Sequence, residues 1–280
     1  AVPDPRTGRP TYDVWVEMQN RFREVPSVDG RPEFFDPSLS LMRPEIDNTP
    51  LGDDQTAFYV HAALPASDMY YGSDYGTYHS LYENIHWMET IVDPGYRYHR
   101  MMAQLQGLLV LRLANADLLP LDLTEMVADW ELAVASLERL AKAQARNWAD
   151  VSEVARLVKE WRKETERVEM ARIGSLAVAK QGTDVAEMNR LLAEVGRAFF
   201  HPDGLPRRPW YRNLFAASAY FEGDQGSTLP GLRWAIQRGN RAEFEAQHAV
   251  YVRALREVIA TTRTLANRLH TEAQRKTPSR

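Results

Sequence analysis

Residues 64–89 have the sequence LPASDMYYGSDYGTYHSLYENIHWME, which contains five tyrosines, one tryptophan, two histidines and two glycines. Ala66–Tyr71 are small, apolar or β-capable residues and predict a strand. The turn formers of Gly72–Gly76 end it, and a helix-compatible segment follows. A strand, a loop and a helix in this order bring loop side chains to the rim of a sheet, where α/β enzymes build their sites. We therefore expect His79, and Tyr78 before it, at such a rim.

Taken alone, His79 is weak evidence for a site. A single histidine among aromatic residues is usually packed and hydrogen-bonded, and no second metal ligand stands at helical or hairpin spacing from it. Glu83, four residues later, is in reach of the imidazole as a hydrogen-bond acceptor, although a solvated carboxylate at a helix start fits equally well. The sequence contains no HExxH, no phosphate-binding glycine loop and no GxSxG nucleophile elbow.

The composition is that of a globular protein with an ample core, in one or two domains. Its 280 residues are 44% hydrophobic and 26% charged. A net charge of -4 without a Lys/Arg block argues against a nucleic-acid partner. The longest apolar stretch, Leu108–Leu121, is interrupted by polar residues and is too short to span a bilayer, so we expect no membrane segment. With no cysteine, thiolate ligands and disulfides are excluded.

The start of the chain carries no signal-peptide pattern, because Ala1 leads directly into a proline-rich polar segment. We interpret this start as an artificial or a processing boundary. The frequent prolines up to residue 50 exclude a long helix there, and only Thr11–Phe22 is predicted as helical.

Beyond this segment the pattern is mainly helical. Helices are predicted from Gly52 to Ala63, over Asn84–Ile91 and Tyr96–Asp117, from Asp122, from Asp150 to Gly182, over Asp184–Phe200 and Pro230–Arg238, and from Asn240 onwards. The helix over Tyr96–Asp117 is apolar on most of its circumference, which predicts burial between two layers. Leu118–Asp122 contains a proline and predicts a hinge, so we place domains at 1–120 and 121–280. Ala219–Leu229 is predicted to be a loop.

The last helix carries a series of mostly apolar residues at alternating spacings of four and three. These are Phe244, His248, Tyr251, Leu255, Val258, Thr262, Leu265 and Leu269. A period of 3.5 indicates the seam of a bundle or a helix pair. We favour an intramolecular bundle core over a two-chain coiled coil.

Several short motifs, in one order along nearly the whole chain, resemble the glutamate carboxypeptidase II-like zinc peptidases, whose architecture the transferrin receptor shares. They are Tyr75–Ser80 with the Leu-Pro turn before it, Tyr98-His99 with Ala103-Gln104, Leu113–Asn115 with Leu119–Asp122, Gly204–Pro206 with Arg208–Arg212, and Leu229–Gly231. The resemblance implies the α/β end of a zinc-exopeptidase catalytic domain followed by an all-α helical bundle of the transferrin receptor-like dimerisation type, mostly α overall.

The resemblance also implies roles for single residues. In the family, the histidine of the Tyr-His-Ser segment is the last protein ligand of a two-zinc centre, and the preceding tyrosine contacts the reaction intermediate; here these are His79 and Tyr78. Gly52, Asp53 and Asp54 match a segment that lines the substrate cleft. The family's other zinc ligands come earlier in the chain, and nothing here matches them. The resemblance thus implies the C-terminal portion of an exopeptidase, inert by itself.

Substrate choice is where the chain departs from glutamate-specific members. Those members carry a Lys-Tyr pair that grips a substrate carboxylate, and Gly223 and Asp224 stand in its place. They also place arginines where this chain has Asp68 and Tyr70. An aspartate in place of a cation repels an acidic side chain, so glutamate specificity is not expected.

Two functions therefore stay open from the sequence. The first is part of a secreted or surface zinc exopeptidase that acts on peptides, and the alternative is a non-catalytic dimerisation or scaffold module. Both imply a homodimer through the helical domain, whose apolar faces exceed what we expect one bundle to need. The aromatic loops His201–Trp210 and Ala219–Leu229 have the composition of an interface.

Overall fold

The structure is a computed structural model, and it describes residues 1–24, 46, 54–72, 76–176, 185–219 and 226–275. Helices make up most of the described secondary structure, which confirms the mostly α prediction. The chain forms two compact units. Unit 1 comprises Ala1–Ile46 with Asp68–Ala116, and unit 2 comprises Asp47–Ser67 with Asp117–Arg280. These units are groups of residues that contact one another within this chain, and they do not test the predicted domain boundary. The boundary between residues 120 and 121 therefore stays a prediction.

Unit 1 contains α1 (Thr11–Glu24), α2 (Ile85–Trp87) and α3 (Arg97–Ala114), and a π-helical turn at Met88–Val92 continues α2. The helices predicted at Thr11–Phe22, Asn84–Ile91 and Tyr96–Asp117 are thereby confirmed. Asn84 caps α2, since its side-chain oxygen accepts a hydrogen bond from the backbone N–H of Trp87 at 3.0 Å.

Two predictions for the segment from residue 66 to residue 117 are wrong. Ala66–Tyr71 has no regular secondary structure, because a strand must pair with a neighbour and the described residues place none beside it. Helix α3 is not covered on both sides by the described residues either. Met101 is its buried apolar side chain, whereas Val110 and Leu111 are 61% and 58% exposed. An apolar pattern shows what a helix can bury, not whether a partner surface is present.

Unit 2 is a bundle of five helices with one small sheet among its described residues. The helices are α4 (Leu123–Ala143), α5 (Ser152–Leu176), α6 (Val185–Arg197), α7 (Pro230–Arg238) and α8 (Arg241–Arg275), and a π-helical turn spans Ala57–His61. The helices predicted from Asp122 onwards are confirmed, although the predicted stop of α5 at Gly182 lies outside the described residues. The helix predicted from Gly52 to Ala63 is observed mainly as the π-helical turn, and Gly52 and Asp53 lie outside the described residues.

The ends of these helices follow the predicted caps. Asp122 accepts a hydrogen bond from the backbone N–H of Thr124 at 2.9 Å, and Asn240 accepts one from that of Glu243 at 3.1 Å. Gly239 ends α7 with φ +69°, the left-handed conformation that favours glycine.

A two-stranded sheet was not foreseen, and one of its strands lies within the segment Ala219–Leu229 that was predicted to be a loop. Strand β1 (Ala216–Ser218) pairs antiparallel with β2 (Gly226–Thr228), with Ala217 opposite Ser227. Strands of three residues are too short for an alternating pattern to emerge from the sequence.

The core of unit 2 is built around aromatic side chains between α4, α5 and α8. Trp130 and Trp161 are fully buried and meet edge to face, with ring centroids 6.3 Å apart. The indole N–H of Trp161 donates to the hydroxyl of Thr262 at 3.0 Å and so ties α5 to α8. Because nearly all of the α8 seam is buried within one chain, the prediction of an intramolecular bundle core is confirmed. In the described part of the chain, none of the helices has the length and apolar character that a membrane crossing requires.

Candidate functional site

Tyr78 and His79 lie together on an exposed turn of unit 1. Their rings stack with centroids 3.8 Å apart and planes inclined by 19°. Tyr78 is 63% exposed, and His79 is exposed too. His79 has φ +57°, a left-handed conformation that is uncommon for a residue other than glycine. The turn thus presents a phenol and an imidazole side by side to solvent.

Glu83 stabilises this turn through the main chain. Its Oε2 atom accepts a hydrogen bond from the backbone N–H of His79 at 2.9 Å. From the sequence, Glu83 was expected either to accept a hydrogen bond from the imidazole or to be a solvated carboxylate at a helix start, and the imidazole contact stays a prediction. The observed bond restrains the backbone that carries both rings.

The described residues do not by themselves fit a zinc centre. A protein zinc site takes three or four side-chain ligands, and the described residues contain no group of three or more His, Cys, Asp or Glu placed to hold a metal ion. His79 therefore offers one donor, and any complete centre needs donors from outside the described residues.

Of the remaining predicted site residues, the structure describes Asp54 and leaves the other four undescribed. Asp54 is exposed in unit 2, just before the π-helical turn. Gly52, Asp53, Gly223 and Asp224 lie outside the described residues.

Next to this turn in sequence, the structure shows a polar cluster at the start of α3 that sequence reasoning missed. The carboxylate of Asp93 is 2% exposed and accepts hydrogen bonds from the backbone N–H groups of Tyr98 and His99, at 3.0 Å each to Oδ2. It also lies 2.7 Å from Nδ1 of His99. Burial raises the pKa of Asp93, but these hydrogen bonds outweigh burial and lower it to about 2. The Asp-Pro-Gly break before α3 was the available signal, but it indicated only a helix end.

A second buried carboxylate, Asp4, fixes the first residues of unit 1. It accepts hydrogen bonds from the hydroxyl and backbone N–H of Thr7, at 2.8 and 2.7 Å, and from the hydroxyl of Tyr71 at 3.3 Å. Burial alone raises the pKa of Asp4, and these bonds bring it below its usual value. The ring of Tyr71 stacks on that of Tyr98, 4.7 Å between centroids, so Asp4 is connected to the start of α3.

In unit 2, Arg208 holds the end of β1, the strand that leads towards Gly223 and Asp224 in the sequence. Its guanidinium lies 5.1 Å from the ring centroid of Trp234 and donates to the carbonyl oxygen of Ala219 at 3.1 Å. On the other strand, Arg233 donates to the carbonyl oxygen of Thr228 at 3.0 Å. Both strands of the hairpin are therefore anchored by arginines to the helical body.

Comparison with known proteins gives two results, one for unit 2 and one for most of the chain. Residues 135–263, which lie within unit 2, match the family model of the transferrin receptor-like dimerisation domain. The resemblance seen in the sequence is confirmed over most of the chain by relatives named as peptidases.

Three of these relatives represent plants, fungi and mammals. The chain is 28% identical over 205 residues to probable glutamate carboxypeptidase LAMP1 of Arabidopsis thaliana, covering 71% of this chain and 29% of that protein. It is 30% identical over 213 residues to a probable glutamate carboxypeptidase of Arthroderma benhamiae, covering 72% and 29%. It is 22% identical over 272 residues to aminopeptidase NAALADL1 of Rattus norvegicus, covering 91% and 34%. The chain thus spans about a third of the length of the curated relatives it matches.

Proposed function

We propose that this chain is the C-terminal portion of a homodimeric exopeptidase with two zinc ions, in which it supplies one zinc ligand, part of the substrate cleft and the dimerisation domain. The observation that carries the proposal is the exposed, stacked pair of Tyr78 and His79, which occupies the Tyr-His-Ser segment of the resembling family. The peptidase names of the relatives support the reaction class, and the match over residues 135–263 supports the dimer.

Each of the two side chains has a separate role in this proposal. The imidazole of His79 binds metal, while the hydroxyl of Tyr78 donates a hydrogen bond to the oxygen on which negative charge develops during attack on the peptide carbonyl. Glu83 holds the backbone of the turn and so keeps both rings in place. With one donor among its described residues, the isolated chain should bind zinc no more tightly than an exposed histidine does, and it should be inactive.

The test of the metal role uses the full-length protein. His79→Ala should remove bound metal, measured by elemental analysis after dialysis, together with dipeptide hydrolysis. His86→Ala is the matched control, because His86 is an exposed histidine of the same segment outside the proposed site. Metal content and turnover that both survive His79→Ala would exclude His79 as a ligand.

The test of Tyr78 separates binding from catalysis. Tyr78→Phe in the full-length enzyme should lower kcat roughly ten- to a thousandfold with KM little changed, as when one oxyanion donor is removed. Tyr82→Phe, at a 76% exposed tyrosine four residues later, should leave kcat unchanged. Equal kcat values for both variants and the parent would leave Tyr78 without a catalytic role.

The substrate preference that we propose is for neutral or basic residues over acidic ones. Gly223 and Asp224 replace the Lys-Tyr pair that grips a substrate carboxylate in glutamate-specific members, and the exposed Asp68 adds negative charge where they carry arginine. Several relatives bear the name glutamate carboxypeptidase, so the proposed preference differs from the substrate that their names state. Fastest turnover of acidic dipeptides in a side-by-side assay would refute it.

A second candidate is a non-catalytic dimerisation or scaffold module resembling the transferrin receptor. It is favoured by the location of the family match, which lies entirely in unit 2. A full-length protein that dimerises but hydrolyses no dipeptide in a panel of neutral, basic and acidic substrates would establish this candidate over the first.

A further inference from the structure

Asn213 is a buried amide that contacts two separate segments of unit 2. It is 4% exposed, although asparagine is mostly a surface residue. Its Nδ2 atom donates to the carbonyl oxygen of Tyr59 at 3.1 Å. Its Oδ1 atom accepts hydrogen bonds from the backbone N–H groups of Phe215 and Ala216, at 2.8 and 3.3 Å. Each polar end of the side chain therefore holds a different segment.

The first of these segments is the π-helical turn Ala57–His61. The last carbonyl groups of a helical turn have no partner within that turn. Here the backbone N–H groups of Arg212 and Asn213 both donate to the carbonyl oxygen of Val60, at 2.8 and 3.1 Å. Together with the side-chain bond, they hold two consecutive carbonyl groups of the turn. Turns of this rare kind are frequent at functional sites, and Asp54 lies just before this one in the sequence.

Ring contacts extend the same attachment. The ring of His61 stacks on that of Tyr211, with centroids 5.3 Å apart and planes inclined by 8°. Nδ1 of His61 also lies 2.7 Å from the carbonyl oxygen of Trp210, which can only accept a hydrogen bond. Four consecutive residues, 210 to 213, therefore hold the π-helical turn.

The second segment is the start of β1, the strand that leads towards Gly223 and Asp224 in the sequence. The backbone N–H of Leu229, just after β2, donates to the carbonyl oxygen of Phe215 at 2.8 Å. The two strands are thus closed at the residue whose N–H is bound by Asn213. One side chain therefore fixes both the base of this sheet and the π-helical turn.

We propose that Asn213 is a positioning residue for substrate binding, which fixes the turn behind Asp54 and the base of β1 relative to each other. The inference rests on the proposed function, which assigns substrate contacts next to both segments, and it adds the side chain that holds them together. Groups that bind a substrate must be held within about 0.5 Å of their productive positions. Loss of this support should therefore weaken substrate binding while the reacting groups stay as they are.

The first test compares Asn213→Ser and Asn213→Ala in the full-length enzyme. A serine hydroxyl can still accept a hydrogen bond from a nearby backbone N–H, as serines do in turns, but it is too short to reach the carbonyl oxygen of Tyr59. Asn213→Ser should raise KM for a neutral dipeptide about tenfold with kcat little changed, because binding is what is lost. Asn213→Ala should raise KM by a similar factor. An increase in Asn213→Ala alone would assign the effect to β1 and overturn the coupling.

Asn189→Ser is the matched control. The side chain of Asn189 makes the same two kinds of bond, since it accepts from the backbone N–H of Leu119 at 2.8 Å and donates to the carbonyl oxygen of Asp117 at 2.9 Å. The proposed function gives that segment no substrate contact, so KM should stay at the parent value. Equal increases of KM in Asn189→Ser and Asn213→Ser would overturn the positioning role, because any loosening of unit 2 would then suffice. Bound metal and circular dichroism should match the parent in both variants.

His61→Ala tests the attachment at a more exposed position, in case Asn213 is needed for folding. It removes the stacked ring and the contact with Trp210, and it should raise KM about two- to fivefold.

A measurement without substrate separates this inference from the proposed function. Hydrogen exchange of the Arg212 amide, which donates to Val60, should become faster in Asn213→Ser and stay unchanged in Asn189→Ser. Unchanged exchange in Asn213→Ser, or an unchanged KM in an active parent enzyme, would overturn the role of Asn213 alone. A parent that hydrolyses no dipeptide would instead refute the proposed function.

Discussion

The two units differ in what they bury. Among the described residues of unit 1, the buried side chains are those of Asp4, Val14, Asp93 and Met101, so carboxylates are as numerous as apolar groups. Unit 2 buries a continuous apolar cluster that contains three fully buried tryptophans, at positions 130, 161 and 234. Burial of apolar area stabilises unit 2, whereas unit 1 depends on hydrogen-bonded charges and leaves much of its apolar surface exposed.

The largest effect of this difference is expected when one leucine in each unit is truncated to alanine and the two changes in stability are compared. Leu255→Ala, at a fully buried position on α8, should lower the free energy of unfolding of unit 2 by about 2–5 kcal/mol. Leu111→Ala, at a 58% exposed position on α3, should change the stability of unit 1 by no more than about 0.5 kcal/mol. Hydrogen exchange of the α8 and α3 amides measures both. Equal losses of unfolding free energy in the two variants would contradict the proposed difference between the units.

An intermediate effect is expected from the carboxylate at the start of α3. Asp93→Asn should destabilise the first turn of α3 by about 1–2 kcal/mol at neutral pH, because it removes a charged acceptor of two backbone N–H groups. Hydrogen exchange of the amides in that turn should become faster accordingly. Unchanged protection would show that Asp93 has no part in holding unit 1.

The lowered pKa of Asp93 also predicts that the stability of α3 depends on pH. Its pKa is about 2 in the folded chain, below the value of about 3.9 in an unfolded chain, so its contribution is complete above pH ~4 and is lost as the pH falls towards 2. Exchange-derived stability of α3, corrected for intrinsic rates, should fall in this window. Asp93→Asn should lack this component, and an identical acid profile in the variant would contradict the assignment.

The smallest effect concerns the hydroxyl of Tyr71. Tyr71→Phe removes one hydrogen bond to Asp4 and should destabilise the N-terminal part of unit 1 by about 0.5–1.5 kcal/mol. The pKa of Asp4, followed by NMR, should rise towards its ordinary value because one of the bonds that lower it is gone. Tyr70→Phe, at an 86% exposed tyrosine next in sequence, should leave both quantities unchanged.

The sequence predicted well those features that depend on local chemistry. Asp122, Gly239 and Asn240 mark helix ends through caps that involve neighbouring residues, and the period of α8 follows from a core that lies within one chain. The predictions failed where the outcome depends on a distant partner. Within the part of the chain that the structure describes, Ala66–Tyr71 has the composition of a strand but no strand to pair with, and the apolar surface of α3 stays largely exposed.

The candidate site shows the same limit. Tyr78 and His79 were found through a family resemblance, and no spacing in the sequence would have selected them. The carboxylate of Asp93 carries no motif, since its burial depends on backbone N–H groups that become available only when α3 forms. The metal ligation, the substrate contacts and the homodimer remain proposals for the experiments described above.

The perpendicular pair of Trp130 and Trp161 gives unit 2 an optical signature. Two indoles 6.3 Å apart with ring planes at 86° couple their strong electronic transitions, so folding of unit 2 should appear as paired bands of opposite sign at the strong indole absorption in far-ultraviolet circular dichroism. Shielded from water, both should also emit at shorter wavelengths than Trp15, the 44% exposed tryptophan of α1. The short-wavelength part of the tryptophan emission can therefore follow the helical bundle without any label, while the long-wavelength part includes Trp15 of unit 1.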